Sequence, residues 1–417
     1  MKNLLKWVLP CLCLMAVVAA CGDSDNDGGK PGTELTPDEN KQKLDEIGQS
    51  LVSKINPKDH ETLIKLTDYF TSIIGVSDDV EIDRPNVNYP ASVMKNISRI
   101  CAKSDLGRMV EFASIRSEVY KLSDYYGIYT YNASTEEWEE TESTSTLEYR
   151  FKYDNKDAVV KVSASGSEVN LDIDGDQIAV PAKVEAVVTL ATTELCKLTV
   201  NSELSTAQHT AKITASLSAS GYVFETVADA SGSKAVADFT MKKNDEVLIS
   251  AKAEVAGKNM TNPSESDLDE PQNMFNKAWS KVDIMNQLNF YVECSNIKDF
   301  ANALDNVDHS KDYVGQNYDD EQSMKKEAEV YNKYMTGQMR YAGSDDVVAS
   351  FAFQAYLDYS YQGQNYSYKY WDIEPVIVFA IDDSRYSFED YFDETSFSSL
   401  ISSLEKLADD YDEIMNW

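Results

Sequence analysis

His60-Glu61-Thr62-Leu63-Ile64 opens like the helix of a zinc peptidase, where two histidines four residues apart share a face and the glutamate acts as base. Ile64 takes the second histidine's place, so this segment cannot hold the metal. The chain has only 3 histidines, and His209 and His309 lie near no cysteine or carboxylate pattern, which leaves no His/Cys metal site to expect. S-x-x-K occurs at Ser231–Lys234, Ser295–Lys298 and Ser323–Lys326, each without the companion motifs that a serine–lysine acyl enzyme requires, so these are read as chance matches. No G-x-S-x-G, G-x-G-x-x-G or P-loop is present. Asp172-x-Asp174-Gly175-Asp176 has the acidic spacing of a calcium loop, yet its flanks alternate as strands and lack the distant bidentate glutamate. A plain hairpin turn is the better account. Glu136, Glu137, Glu139, Glu140 and Glu142 around Trp138 read as a solvated loop tip. Paired carboxylates for glycoside hydrolysis remain open, because in so acidic a chain any two could converge.

The aromatic spacing near the C-terminus is more informative. Gly363-Gln364 fits a two-residue type II′ turn between strands 347–361 and 366–380. That register predicts Tyr361 opposite Tyr366, Tyr359 opposite Tyr368 and Leu357 opposite Tyr370, with Asp358 facing Lys369 and Tyr356 facing Trp371 on the other side. Such a ladder of Tyr359, Tyr361, Tyr366, Tyr368 and Tyr370 is first of all ordinary cross-strand pairing. Exposed, it would be a platform for the apolar faces of sugar rings.

Composition narrows the classes further. The 417 residues carry 38 Lys and Arg against 71 Asp and Glu, a net charge of −33, with 42% apolar residues and 25 tyrosines. The apolar content supports a large core and excludes a disordered or fibrous chain. The charge leaves no basic surface for phosphates, so no nucleic-acid partner is expected, and no cofactor motif is present.

The N-terminus carries an address. Lys2 and Lys6 precede an apolar run from Trp7 to Ala20, too short to span a bilayer and typical of a cleaved signal peptide. Val18-Ala19-Ala20-Cys21 resembles the lipobox of bacterial lipoproteins. The resemblance implies acylation of Cys21, removal of residues 1–20 and anchoring to a lipid bilayer. Asp23, Asp25 and Asp27, within a flexible polar tether over 21–35, resemble the acidic tract that sends some lipoproteins to the outer face of the outer membrane. The body is similar to uncharacterised outer-membrane lipoproteins that join helices to a long antiparallel sheet.

The remaining sequence supplies the elements. Thr36-Pro37-Asp38-Glu39 is a capping box that starts a helix with a stripe of Leu44, Ile47, Leu51 and Ile55. Asn56-Pro57 starts a second through Leu63, Leu66, Phe70 and Ile73, ended at Gly75, and two more are expected near 91–103 and 106–125, so 36–126 is helical. From Gly127 the period becomes 2. Val184–Leu190, Ala211–Ala219 and Val247–Val255 alternate, predicting nine or ten antiparallel strands over 127–262 with one covered face. Asp174-Gly175 should set Leu171 opposite Ile178 and Val169 opposite Val180, with further turns near Asn155, Ser231-Gly232 and Asn244. The polar stretch from Asn262 to Pro271 reads as a linker. The rest, 263–417, mixes helices near 272–283, 297–307 and 319–336, a strand over 287–294, the tyrosine hairpin and a terminal helix using Leu400, Leu404, Leu407 and Tyr411. Cys101, Cys196 and Cys294 read as buried small hydrophobes.

The expected fold is α+β, one extended domain with helices from both ends on a large antiparallel sheet. The expected role is non-enzymatic: a lipid-anchored, cell-surface binding or scaffolding protein with a glycan or protein partner. Alternatives are a carrier of hydrophobic ligands, which needs an apolar cavity, and an envelope hydrolase using acidic residues, which needs a cleft with paired carboxylates.

Overall fold

The structure is a computed structural model that describes residues 35–74, 122–173, 176–262, 264, 271–343 and 347–415. The signal segment, Cys21, most of the tether, Cys101, the expected helix at 91–103, all but residues 122–125 of the one expected at 106–125, most of the 262–271 linker and the Asp174-Gly175 turn fall outside the described residues.

The fold is α+β, with a large, mostly antiparallel mixed sheet and helices at both ends of the described chain. The first helix, α1 (Pro37–Lys54), begins with the expected reciprocal cap. Glu39 accepts from the Thr36 amide at 2.8 Å, and the Thr36 hydroxyl accepts from the Glu39 amide at 3.3 Å. A 3-10 turn, Pro57–Asp59, capped by the Asn56 side chain, precedes α2 (Glu61–Ile74), which buries Leu63, Leu66 and Phe70. Leu122–Tyr125 is a further 3-10 turn.

Ten strands follow, as the alternation predicts: β1 (Gly127–Asn132), β2 (Glu137–Glu142), β3 (Leu147–Tyr153), β4 (Lys156–Ile173), β5 (Asp176–Leu190), β6 (Thr193–Ser205), β7 (Thr210–Ala219), β8 (Tyr222–Ala230), β9 (Lys234–Lys243) and β10 (Glu246–Gly257). The β4–β5 register places Leu171 opposite Ile178 and Val169 opposite Val180. Asp154-Asn155 and Asn244-Asp245 turn with both residues at positive φ, between 48° and 68°, the primed-turn conformation that Asn and Asp tolerate. In β5 and β7 the expected face is the covered one, with Ala186, Val188, Leu190, Ala215, Leu217 and Ala219 buried. β10 departs from expectation. Leu248 is its fully buried residue, while Val247, Ile249, Ala251, Ala253 and Val255 are only half-buried. The small side chains of that set cover little area, and Leu248 points to the other side.

The expected helix over 272–283 is a strand, β11 (Phe275–Ile284). Phe275, Ala278, Trp279 and Val282 have helical spacing, which made the segment ambiguous, but Ala278, Ser280 and Val282 alternate inward and Met285-Asn286 at positive φ turn the chain into β12 (Leu288–Cys294). Sheet pairing on both edges of β11, with β10 and β12, overrides the helical pattern.

Next come α3 (Ile297–Asp305), capped by Asn296, the short β13 (Tyr313–Val314) and β14 (Asn317–Asp319), and α4 (Glu321–Tyr334). Met335–Tyr341 is β15, a strand with no counterpart in the sequence reading. It is followed by β16 (Val347–Gln362), β17 (Ser367–Phe379), β18 (Arg385–Ser387), α5 (Phe388–Tyr391) and α6 (Ser398–Met415).

The chain divides into two compact units, each of non-contiguous segments. One comprises residues up to Val52 with Ala230–Asp238 and Val247–Ser403; the other comprises Ser53–Asp229, Phe239–Glu246 and Leu404–Trp417. In the second, Phe70 of α2 stacks on Phe151 at 5.1 Å and meets Tyr149 edge-on at 5.6 Å, so the helix seals the inner face of β3. In the first, Tyr391, Phe379 and Phe397 are fully buried, and the Tyr341 hydroxyl donates to the buried Asn40 side chain at 2.8 Å.

Candidate functional site

β16 and β17 form a long antiparallel hairpin in the first unit. Its base carries the core, with Ala349, Val376, Ile377 and Phe379 buried. Its outer half carries tyrosines. Pairing there runs Gln362 with Ser367, Tyr361 with Tyr368, Ser360 with Lys369 and Tyr359 with Tyr370. Beyond a bulge at Asp358, Leu357 faces Trp371 and Tyr356 faces Asp372. The expected two-residue turn is therefore replaced by a four-residue loop, Gly363–Tyr366, closed by the Gly363 amide donating to the Tyr366 carbonyl at 2.8 Å. The shift has a local cause: Gly363 does not adopt the positive φ that a II′ turn demands. A Cβ there would sit 2.7 Å from the tip of the Tyr366 ring, so a larger residue would displace that exposed side chain. Asp358 thus does not face Lys369, and the bulge supplies the residue that changes the pairing inward.

The expected tyrosines are nonetheless together. Successive side chains of a strand alternate faces, so Tyr368 and Tyr370 share a face with their partners Tyr361 and Tyr359. Ring centroids lie 5.8 Å apart for Tyr361–Tyr366, 5.5 Å for Tyr366–Tyr368, 6.3 Å for Tyr368–Tyr370 and 6.2 Å for Tyr359–Tyr370. The Tyr361 hydroxyl beside it raises the Tyr366 phenol above its ordinary pKa. These rings are wet: Tyr359 is 52% exposed, Tyr361 47%, Tyr370 41% and Tyr366 37%.

Two further tyrosines, absent from the sequence reading, extend the row. β14 adds to β17 in parallel, with Tyr318 in register with Tyr368 and Asp319 with Lys369. Tyr318 lies 4.8 Å from Tyr370, and Tyr313 of β13 lies 4.7 Å from Tyr318. The junction is fixed by polar groups. Asn317 accepts from the Ser367 amide at 2.8 Å and its hydroxyl at 3.1 Å, Lys369 pairs with Asp319 at 2.9 Å, and the buried Asp320 accepts from the Trp371 amide at 2.7 Å and the Tyr318 hydroxyl at 2.8 Å. Burial, and then the Asp320 carboxylate, hold the Tyr318 phenol far above its usual range. A signal for these residues existed. Tyr-x-Gly-Gln-Asn-Tyr occurs at 313–318 and again at 361–366. In the first copy Gly315 has φ +66° and Tyr313 pairs directly with Tyr318, which is the tight register that the sequence suggested for the second.

A second constellation sits at the start of α4. Ser323 donates to Asp312 at 2.6 Å, and His309 Nδ1 lies 3.0 Å from the other oxygen of the same carboxylate, with Nε2 3.2 Å from Glu327. Burial, foremost, raises the Glu327 pKa. These are the residue types of a serine hydrolase in an unsuitable order. The carboxylate stands between serine and histidine, so the imidazole does not face the hydroxyl, and Ser323 is buried at 1% exposure. The group ties the segment carrying His309 and Asp312 to the helix through Ser323 and Glu327.

Residues 172–176 are paired as strand ends up to Ile173 and from Asp176. His60 is buried in α2's approach, while Cys196 and Cys294 are buried in strands. Among the described residues, no cluster of three or more His, Cys, Asp or Glu is placed to hold a metal, and no helix is long and apolar enough to cross a membrane. No protein-family model matches the chain, and no curated protein or solved structure is significantly similar to it.

Proposed function

We propose that this protein is a lipid-anchored, extracytoplasmic binding protein, without catalytic activity, that presents the tyrosine face of the β16–β17 hairpin to carbohydrate. The observation that carries this reading is the exposure of a continuous row of phenol rings on a hairpin whose base is firmly buried. Large contiguous aromatic patches are unusual on a surface that has nothing to bind. Tyrosine suits sugars because its ring covers the apolar face of a pyranose while its hydroxyl reaches a neighbouring group. The Lys2/Lys6 leader, the lipobox ending in Cys21 and the Asp23, Asp25 and Asp27 tract supply the anchoring and surface part of the reading.

The test is a glycan array probed with the wild type and with a Tyr359→Ala/Tyr368→Ala variant whose far-UV circular dichroism matches it. Glycan signal lost in the variant supports the platform; equal signal from both proteins overturns it.

A further inference from the structure

The repeated hexapeptide carries an inference about what lies on the platform, and it rests on the carbohydrate reading above. Two tips with one sequence, Tyr313–Tyr318 and Tyr361–Tyr366, stand side by side, because Asn317 of the first accepts from the Ser367 amide that follows the second. Each offers two neighbouring tyrosines, tilted with centroids 4.7 Å apart in the first and stacked at 5.8 Å in the second, together with exposed amide side chains at Gln316, Gln364 and Asn365. Amides both donate to and accept from hydroxyls. Tyr318, Tyr370 and Tyr368 bridge the tips with centroid steps of 4.8, 6.3 and 5.5 Å, so the aromatic path is unbroken.

Duplicated recognition elements on one continuous path suit a ligand whose own unit repeats. Charge selects further. The chain carries −33 overall. Lys369, the lysine within the row, is committed to Asp319 at 2.9 Å, and Asp358 and Asp372 are exposed at the inner end. A polyanion would meet repulsion with no cation to offset it. Among the described residues, no lysine or arginine stands over any of these seven rings.

We propose that the two Tyr-x-Gly-Gln-Asn-Tyr tips form a bivalent site for an extended, uncharged polysaccharide, each tip holding an equivalent stretch of one chain. Short oligomers fill one tip; longer ones engage both, and the second contact becomes intramolecular.

Calorimetry with linear neutral oligosaccharide series of glucan, mannan, xylan and galactan, from dimer to decamer, tests this against a sulfated polysaccharide. For the wild type, affinity for one neutral series is expected to rise at least about tenfold with length. Tyr313→Ala/Tyr318→Ala and Tyr361→Ala/Tyr366→Ala should each retain short-oligomer binding and lose that rise. The corresponding Tyr→Phe pairs keep the rings and should retain it, which controls for folding. Neutral binding without length dependence, a rise that survives loss of one tip, or tighter binding of the sulfated chain would overturn the bivalent site while leaving a carbohydrate platform standing. Binding of no carbohydrate by the wild type overturns both.

Discussion

His60 is a buried imidazole held neutral. It is 1% exposed, its Nδ1 has no hydrogen-bond partner, and it sits 4.7 Å from the Tyr222 ring and 6.5 Å from that of Tyr411. Burial lowers its pKa to about 4, with Asp59 opposing and Lys243 assisting. A histidine whose folded pKa lies below its unfolded value of about 6.5 binds fewer protons when folded, so its contribution is intact above that value. It is lost as pH falls from about 6.5 towards 4, by about 2 kcal/mol at pH 5. Urea midpoints at pH 7 and pH 5 should therefore converge more in His60→Phe than in the wild type, and equal slopes would refute the assignment. Beside it, the buried Tyr222 hydroxyl accepts from the Asn56 amide at 2.9 Å and from Lys243 at 2.7 Å, and donates to the Lys54 carbonyl at 3.0 Å. Tyr222→Phe should cost about 1–3 kcal/mol, read as a lowered urea midpoint at constant m. Sequence drew attention to His60 through a failed metal motif. Its actual role depends on Tyr222 and Lys243, more than a hundred residues away, which spacing cannot reveal.

Between secondary-structure elements, one side chain does the work of a strand. Asn332, near the end of α4, donates to the Phe353 carbonyl at 2.8 Å and accepts from its amide at 2.7 Å. That pair continues the β15–β16 ladder past Gly337, where β15 pairs with Phe351 of β16. Asn332→Ala leaves an amide and a carbonyl without those partners. It should lower stability by about 1 kcal/mol, and hydrogen exchange should quicken at Phe353 more than at Val376. Where the sequence carries local chemistry, it foretells elements well: the Thr36/Glu39 box and the β4–β5 register are found, and Asn56 caps a 3-10 turn just ahead of the expected second helix. It falls short where pairing partners decide. Phe275, Ala278, Trp279 and Val282 satisfy a helical period, and only strands on both sides of β11 make their segment extended. For the candidate site, five tyrosines were legible because alternation brings them to one face. The register was not, since it turns on the φ of Gly363 and on a bulge at Asp358. Tyr313 and Tyr318 join through β14, a strand of three residues, too short for any period to show.

For the molecule as a whole, the proposed reading makes position part of function, because a platform on a tether is useful only where polysaccharide is met. A chain of net charge −33 is repelled by anionic surfaces, so charge does not draw it to an anionic bilayer. Attachment would then depend on acyl chains at Cys21, each buried CH₂ contributing about 0.8 kcal/mol. Cys21→Ala removes the acceptor sulfur and touches none of the residues that make up the core. The expected wild type partitions into the detergent phase and the membrane pellet, and added protease shaves it from intact cells. The variant should appear in the soluble fraction or persist as precursor, with an unchanged urea midpoint once purified without its leader. Replacing Asp23, Asp25 and Asp27 with Ala should separate the two halves of the address. Anchoring would persist while protease sensitivity on intact cells falls, because the acyl chains remain and only the export tract is gone. Normal membrane fractionation of Cys21→Ala would refute the anchor, and undiminished shaving of the triple variant would refute the tract.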